Sequence, residues 1–460
     1  MAQRTGSLVG ALNDAPLSLF HLRTVLTAGM GFFTDAYDLF IISAAVTLIK
    51  VQWDPSATEL GLLSSTALIA AFVGAFLFGR VADVFGRKSI YGLEAAIMAA
   101  AAIASAFAPN IIWLIVFRFV LGVGIGGDYP VSAVLMSEYA NRQDRGKLVG
   151  LVFSMQALGL VAGPIVAMTL LASGVSGDLA WRLMLGLGAL PALAVIYLRR
   201  TLPESPRYVA RVRGNAPEAT RSVREFTRGQ VDAAADAEPK VRLSFWQFLH
   251  DRRYLRLLLG TAGTWFVFDY AYYGNSISTP LIIKSVAPAA TTIETMAWTL
   301  IIFVVAAVPG YLLAILKLDD IGHRRLQWIG FTVMGLAFLA LGVIPGITSL
   351  LVPFLVIYGI SYFFAEFGPN TTTFVLSAEV YPVSMRTTGH GLSAGIAKVG
   401  AFIGVFVFPI LSSALGIAGT LRITFLFAMV GVLLTMLLPE PAKQDLEAVS
   451  YEDELISQQA

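Results

Sequence analysis

An all-α membrane protein with twelve spanning helices, arranged as two pseudo-symmetric six-helix bundles, is the fold this sequence predicts. Three observations carry that expectation. Of 460 residues, 57% are apolar and only 13% charged, with a mean hydropathy of +0.74, against roughly 45–50% apolar and about 25% charged for an ordinary soluble domain. Apolar stretches of about 20 residues, the length that crosses ~30 Å of hydrocarbon, recur along the whole chain. Charged loop motifs repeat six such stretches apart.

The first six stretches lie near 24–49, 59–79, 89–108, 111–138, 147–172 and 181–199, and the second six near 255–283, 293–316, 326–345, 349–378, 388–411 and 419–438. At bilayer depth every backbone N–H and C=O needs an internal partner, so each stretch is expected to be a helix. Met1 to Ser18 lacks a basic segment followed by an apolar core and a small-residue cleavage site, so the first span is expected to remain. Arg80, Arg87 and Lys88 follow the second stretch, Arg142, Arg145 and Lys147 the fourth, a basic run from Arg199 to Arg256 the sixth, and Arg324 and Arg325 the eighth. By the positive-inside rule both termini and the central loop face the cytoplasm. The expected partition is a bundle over 1–200, a hydrated central linker over 201–250, a second bundle over 251–440 and a tail over 441–460.

The repeat is visible in residues. Gly79, Asp83, Gly86, Arg87 and Lys88 follow the second stretch; Asp319, Gly322, His323, Arg324 and Arg325 follow the eighth. Glu138 precedes Arg145 by the same step that separates Glu379 from Arg386. A duplicated unit places its site between the halves. Asp83, Arg87, Glu138, Arg145, Asp319, Glu379 and Arg386 are read as a cytoplasmic gate of ion pairs and helix-end contacts.

Charged residues at membrane depth cost at least ~2.5–3.5 kcal/mol on insertion scales, so each is a candidate for function. They are Asp35, Asp38, Glu94, Arg118, Asp128, Asp269, Glu366 and Lys398; the excess of carboxylates suits proton carriage. Arg118 is read as a structural partner for carboxylates or backbone at the cytoplasmic side. Trp265, Asp269 and Tyr273 stand four residues apart, forming one helical stripe that presents an indole N–H, a carboxyl and a phenol and that can hold an oxyanion.

The loop motif after the second stretch, together with Pro203 to Arg207 (PESPR) after the sixth, resembles the major facilitator superfamily. Within it, Gly126 to Tyr139 (GGDYPVSAVLMSEY), Gly31 to Phe40, Gly368 to Phe374 and Gly389 to Ala401 resemble the phosphate:proton symporters of fungi and plants. The resemblance implies alternating-access uptake of inorganic phosphate, with Tyr129, Gln156, Trp265, Asp269, Tyr273, Asn370 and Lys398 as substrate contacts. For proton coupling the sequence points to Asp35, Asp38, Glu94, Asp128 and Asp269, and the resemblance agrees. Chemistry suits that set, because phosphate needs compensating positive charge, here Lys398, and several donors.

A carrier of an organic acid or a sugar on the same scaffold is the nearest alternative. A sugar would not require a buried cation, and a carboxylate would more usually meet an arginine fork. With no cysteine and four scattered histidines, no metal ligand set and no cofactor is expected. The stretch GVGIGG from Gly122 lies within an apolar segment with no preceding strand, so it reads as close helix packing rather than a nucleotide loop. The expected partners are phosphate, protons and the lipid of a cell membrane, with no nucleic acid and no enzymatic activity.

Overall fold

A computed structural model describes residues 8–227 and 238–459. Residues 1–7 of the expected first bundle, 228–237 of the linker and 460 of the tail lie outside the described residues. Six spans precede the linker: α1 (Leu19–Trp53), α2 (Ala57–Phe85), α3 (Leu93–Ala106, entered by the turn Arg87–Ile90), α4 (Ile111–Tyr139), α5 (Arg145–Ala172) and α6 (Gly177–Thr201). Six follow it: α7 (Arg252–Ile277), α8 (Thr292–Ile321), α9 (His323–Val343), α10 (Leu351–Glu379), α11 (386–415) and α12 (417–435).

Local chemistry starts these helices. Ser56 and Glu59 form a capping box at α2, Thr291 and Glu294 another at α8, and Asn110 accepts the Trp113 N–H at α4, each supplying an acceptor to N–H groups that have none within the helix. The α11 and α12 axes meet at Gly416, whose φ of 68° only glycine adopts without strain. Pro130, Pro164 and Pro409 lie inside α4, α5 and α11, as neighbouring membrane helices permit.

Small residues set the helix spacing. A Cβ on Gly122 or Gly126 would meet the backbone of Ala67 or Ala71 in α2, so the glycine run of α4 packs one helix on another. Between the bundles, α2 crosses α11 at Gly79 and Gly391: a Cβ on Gly79 would stand 2.7 Å from the Thr387 carbonyl oxygen, and one on Gly391 would strike that of Ala75. Helices α5 and α8 form a second line of contact between the halves. The outer faces carry exposed Val305, Leu312 and Leu316 among many others, as lipid contact requires.

The linker and tail are folded against one end of the bundles, here the linker end. Helix Pro206–Tyr208 continues into a π-turn, Val209–Arg213, and Phe245–His250 leads into α7. Tail helices Leu446–Val449 and Glu452–Gln459 join Tyr208, Phe248, Tyr254 and Tyr381 in one apolar cluster. Arg207 and Arg211 are buried there, which differs from a linker hydrated along its length.

Candidate functional site

At the centre, Lys398 from α11 reaches across to α7. Its Nζ lies 3.0 Å from Asp269 Oδ2 and donates to the Tyr273 hydroxyl at 3.1 Å. The same ammonium sits over the Tyr129 and Tyr273 rings, 4.6 and 4.3 Å from their centroids, where the ring quadrupoles add attraction. Trp265, one turn before Asp269, faces the Tyr129 ring at 6.0 Å. Tyr129, Gln156, Trp265, Asp269, Tyr273, Asn370 and Lys398 are all buried, so seven side chains from α4, α5, α7, α10 and α11 converge away from lipid and water.

From the first bundle, Asp35 accepts hydrogen bonds from the Tyr129 hydroxyl at 2.5 Å and from Gln156 Nε2 at 3.4 Å. Gln156 also receives the Tyr311 hydroxyl at 3.1 Å, and Tyr311 accepts from Asn370 Nδ2 at 2.7 Å. A polar chain therefore crosses between the halves. Glu94 and Asp128 belong to a neighbouring cluster inside the first bundle: both are paired with Arg199 Nη1, at 2.8 and 2.7 Å. Asp38 stands apart from both groups, with neither carboxylate oxygen hydrogen-bonded. Arg118 donates to the main-chain carbonyl of Asp38 at 3.2 Å; it lies in the half of α4 remote from the linker, not at the linker end as its sequence context predicts.

The linker end is closed by ions. Glu138 Oε1 receives Arg87 from the first bundle and Arg386 from the second, each at 3.1 Å. Arg145 pairs with Glu379 across the halves at 2.8 Å, and His323 bridges Glu379 and Asp319 at 2.8 and 3.0 Å. The repeat is explicit in two helix-end contacts. Asp83, at the end of α2, accepts the Thr388 N–H at 2.6 Å at the start of α11, while Asp319, at the end of α8, accepts the Lys147 N–H at 2.8 Å at the start of α5. Carboxylates at helix N-termini meet unpaired N–H groups and the positive end of the dipole.

Several participants escape the sequence reading. Arg199 closes the apolar run of α6 and looks like a topology charge. Glu204 and Glu440 each cap the helix following a G-R-K or G-H-R turn: Glu204 accepts the Lys88 N–H at 3.3 Å and Glu440 the His323 N–H at 2.7 Å. Gly86 and Gly322 share φ 101° at these turns. The signal was present, since Leu202-Pro203-Glu204 and Leu438-Pro439-Glu440 repeat in the two halves. Tail residue Glu452 pairs with Arg386 at 2.8 Å and Arg211 at 2.9 Å. Burial raises the affinity of Glu447 for a proton, but Arg207, Arg211 and Arg386 outweigh it and hold that carboxyl down at about 2.

The chain is similar to known carriers throughout its length. The family profile described as "Sugar (and other) transporter" matches residues 24–452. A "Probable inorganic phosphate transporter 1-6" of Arabidopsis thaliana is 36% identical over 98% of both chains. A "Repressible high-affinity phosphate permease" of Neurospora crassa is 35% identical over 98% of this chain and 90% of its own. Among solved structures, the major facilitator superfamily proton:xylose symporter XylE bound to 6-bromo-6-deoxy-D-glucose superposes with a TM-score of 0.80 at 20% identity, over 94% of this chain and 99% of that one. With a bilayer-length apolar bundle, a duplicated half and these matches in hand, the chain belongs to the sugar (and other) transporter family and has the major facilitator fold.

Proposed function

We propose that the protein takes up inorganic phosphate together with protons by alternating access, and that the Lys398–Asp269 pair is the coupling element. The observation that carries this reading is one ammonium held 3.0 Å from one carboxylate, both buried between the bundles. A buried pair is costly to separate unless a partner replaces the one removed. Protonation of Asp269 releases Lys398, whose charge then meets a phosphate oxygen, while the indole, phenols and amides of Trp265, Tyr129, Tyr273, Gln156 and Asn370 supply donors. Alternatively, an ionised Asp269 accepts the substrate's own P–OH, which fully ionised sulfate lacks.

Asp35 withholds the donors of Tyr129 and Gln156 while it is ionised, so its protonation frees them for the anion. Glu94 and Asp128, paired with Arg199 beside that site, are further carboxyls of the proton path, and Asp38 lies further along the same helix as Asp35. Ion pairs among Asp83, Arg87, Glu138, Arg145, Asp319, Glu379 and Arg386 hold one facing state. Lys and Arg placement supports termini and linker in the cytoplasm of a cell-membrane protein. An inward proton drive of ~2.3 kcal/mol per charge per 100 mV then loads phosphate against its gradient.

The names of the phosphate-transporting relatives support phosphate over a neutral sugar, and so does a buried cation that a sugar does not need. The test is accumulation of radiolabelled phosphate by proteoliposomes under an acid-outside gradient, competed by sulfate, succinate and xylose. Asp269→Asn is expected to abolish accumulation and Lys398→Ala to weaken phosphate binding by about tenfold or more. Normal transport by both variants overturns the assignment.

A further inference from the structure

At the linker end, a cavity of about 370 Å³ opens beside the contact of α2 with α11. Its walls include Arg80 of α2, Arg242, Ser244 and Gln247 of the linker, and Ser384 and Met385 of the turn before α11. Two of these groups lack a matching partner. The Arg80 guanidinium meets Met385 Sδ at 3.6 Å and the face of the Phe245 ring at 5.8 Å, both weak partners for a full charge. Among the described residues, no carboxylate lies within 4.0 Å of it. Ser384 Oγ makes no hydrogen bond. Asp83, the carboxylate in the wall, is already engaged by Arg87 at 3.1 Å and by the Thr388 N–H at 2.6 Å.

The cavity lies at the depth of the membrane interface. Phe76, one turn before Arg80 in the apolar run of α2, stands 6.4 Å from Phe245 between ring centroids, so helix Phe245–His250 runs along the edge of the hydrocarbon. Phe76, Trp246 and Leu255 are exposed, an apolar surface that includes the indole typical of an interface. Arg242 is exposed at the rim. A basic, hydroxyl-bearing pocket beside exposed apolar side chains matches a phosphodiester carried on acyl chains. A soluble phosphate would gain nothing from the apolar surface. A zwitterionic headgroup would bring its own cation against Arg80 and Arg242.

We propose that this cavity binds an anionic phospholipid of the leaflet at the linker end, with Arg80 and Arg242 holding the headgroup phosphate and the acyl chains lying over Phe76 and Trp246. The lipid then spans the seam between the halves, since Arg80 belongs to the first bundle whereas Ser384 and Met385 precede α11 of the second.

The test is lipid binding to the delipidated full chain in detergent, read by native mass spectrometry during titration with phosphatidylglycerol, phosphatidylcholine or inorganic phosphate. Phosphatidylglycerol is expected to bind more tightly than phosphatidylcholine. The double variant Arg80→Gln/Arg242→Gln is expected to weaken it by about tenfold or more, and Trp246→Ser to weaken it as well. A control of equal charge at the same end, Lys317→Gln/Arg325→Gln, is expected to keep wild-type binding. Equal affinity for the two lipids overturns the proposal, and so does unchanged binding in the Arg80/Arg242 variant or an equal loss in the control. Displacement of phosphatidylglycerol by millimolar inorganic phosphate, with Trp246→Ser unaffected, assigns the cavity to a soluble anion and overturns the lipid assignment.

Discussion

Arg199 holds Glu94 and Asp128 together in the first bundle, and all three side chains are shielded from solvent. Removing the cation leaves two like charges in a dry site, so Arg199→Ala is expected to destabilise the protein by about 3–5 kcal/mol. Thermal unfolding in detergent reads this as a lowered midpoint, and adding Glu94→Gln to the same protein should recover part of the loss. The sequence showed the two acids but not their partner, because a basic residue at the end of an apolar run is indistinguishable from a topology signal. Lys398 was legible for the opposite reason, since nothing in the surrounding apolar segment explains a charge there. Glu366 was visible as a charge at depth, whereas its lack of a counter-ion is a property of packing that spacing cannot reveal.

Helices were the most legible level. Hydropathy located all twelve centres, but the ends were missed: α1 runs from Leu19 to Trp53, well past the apolar window, because a helix continues into the interface wherever capping and propensity allow. The interruption of α10 was signalled only by Pro369, and nothing in composition specifies a π-turn. The crossing of α2 and α11 makes an element-level prediction. A side chain larger than glycine at position 391 meets backbone, which cannot move aside cheaply, so Gly391→Val should cost the closed linker end about 1–3 kcal/mol. The chain has no cysteine, so Ser137→Cys, at a site that bonds the Ala378 carbonyl across the halves, is a clean reporter. Its labelling by an impermeant maleimide should rise by roughly tenfold in the Gly391→Val protein.

For the whole molecule, the duplicated halves were legible in their charged loops, while the docking of linker and tail was not, since their composition is that of hydrated segments. That docking joins four parts of the chain: Arg207 meets Asn13 and Glu447, and Glu452 meets Arg211 and Arg386. Glu452→Gln should loosen the closed linker end, seen as faster labelling of the same cysteine reporter. The arginines around Glu447 depress its proton affinity, so its contribution is complete above the ordinary carboxylate range and fades only as pH falls toward about 2. The protection factors of tail amides, corrected for the intrinsic pH dependence of exchange, should therefore be the same at pH 5 as at pH 8, and any pH response of uptake in that interval must arise elsewhere.

At the far end of the bundles the closure is of another kind. Phe40 stacks on Tyr273 and meets Phe303 edge-on, at 6.3 and 5.7 Å between centroids. Contacts of that sort draw on the aversion of water for oily surface, which dissolved ions do not screen, whereas charge pairs are screened by salt once water reaches them. A carrier in concentrated salt should accordingly dwell with its aromatic door shut and its charged door loosened, so that ionic strength alone biases which compartment the cavity greets.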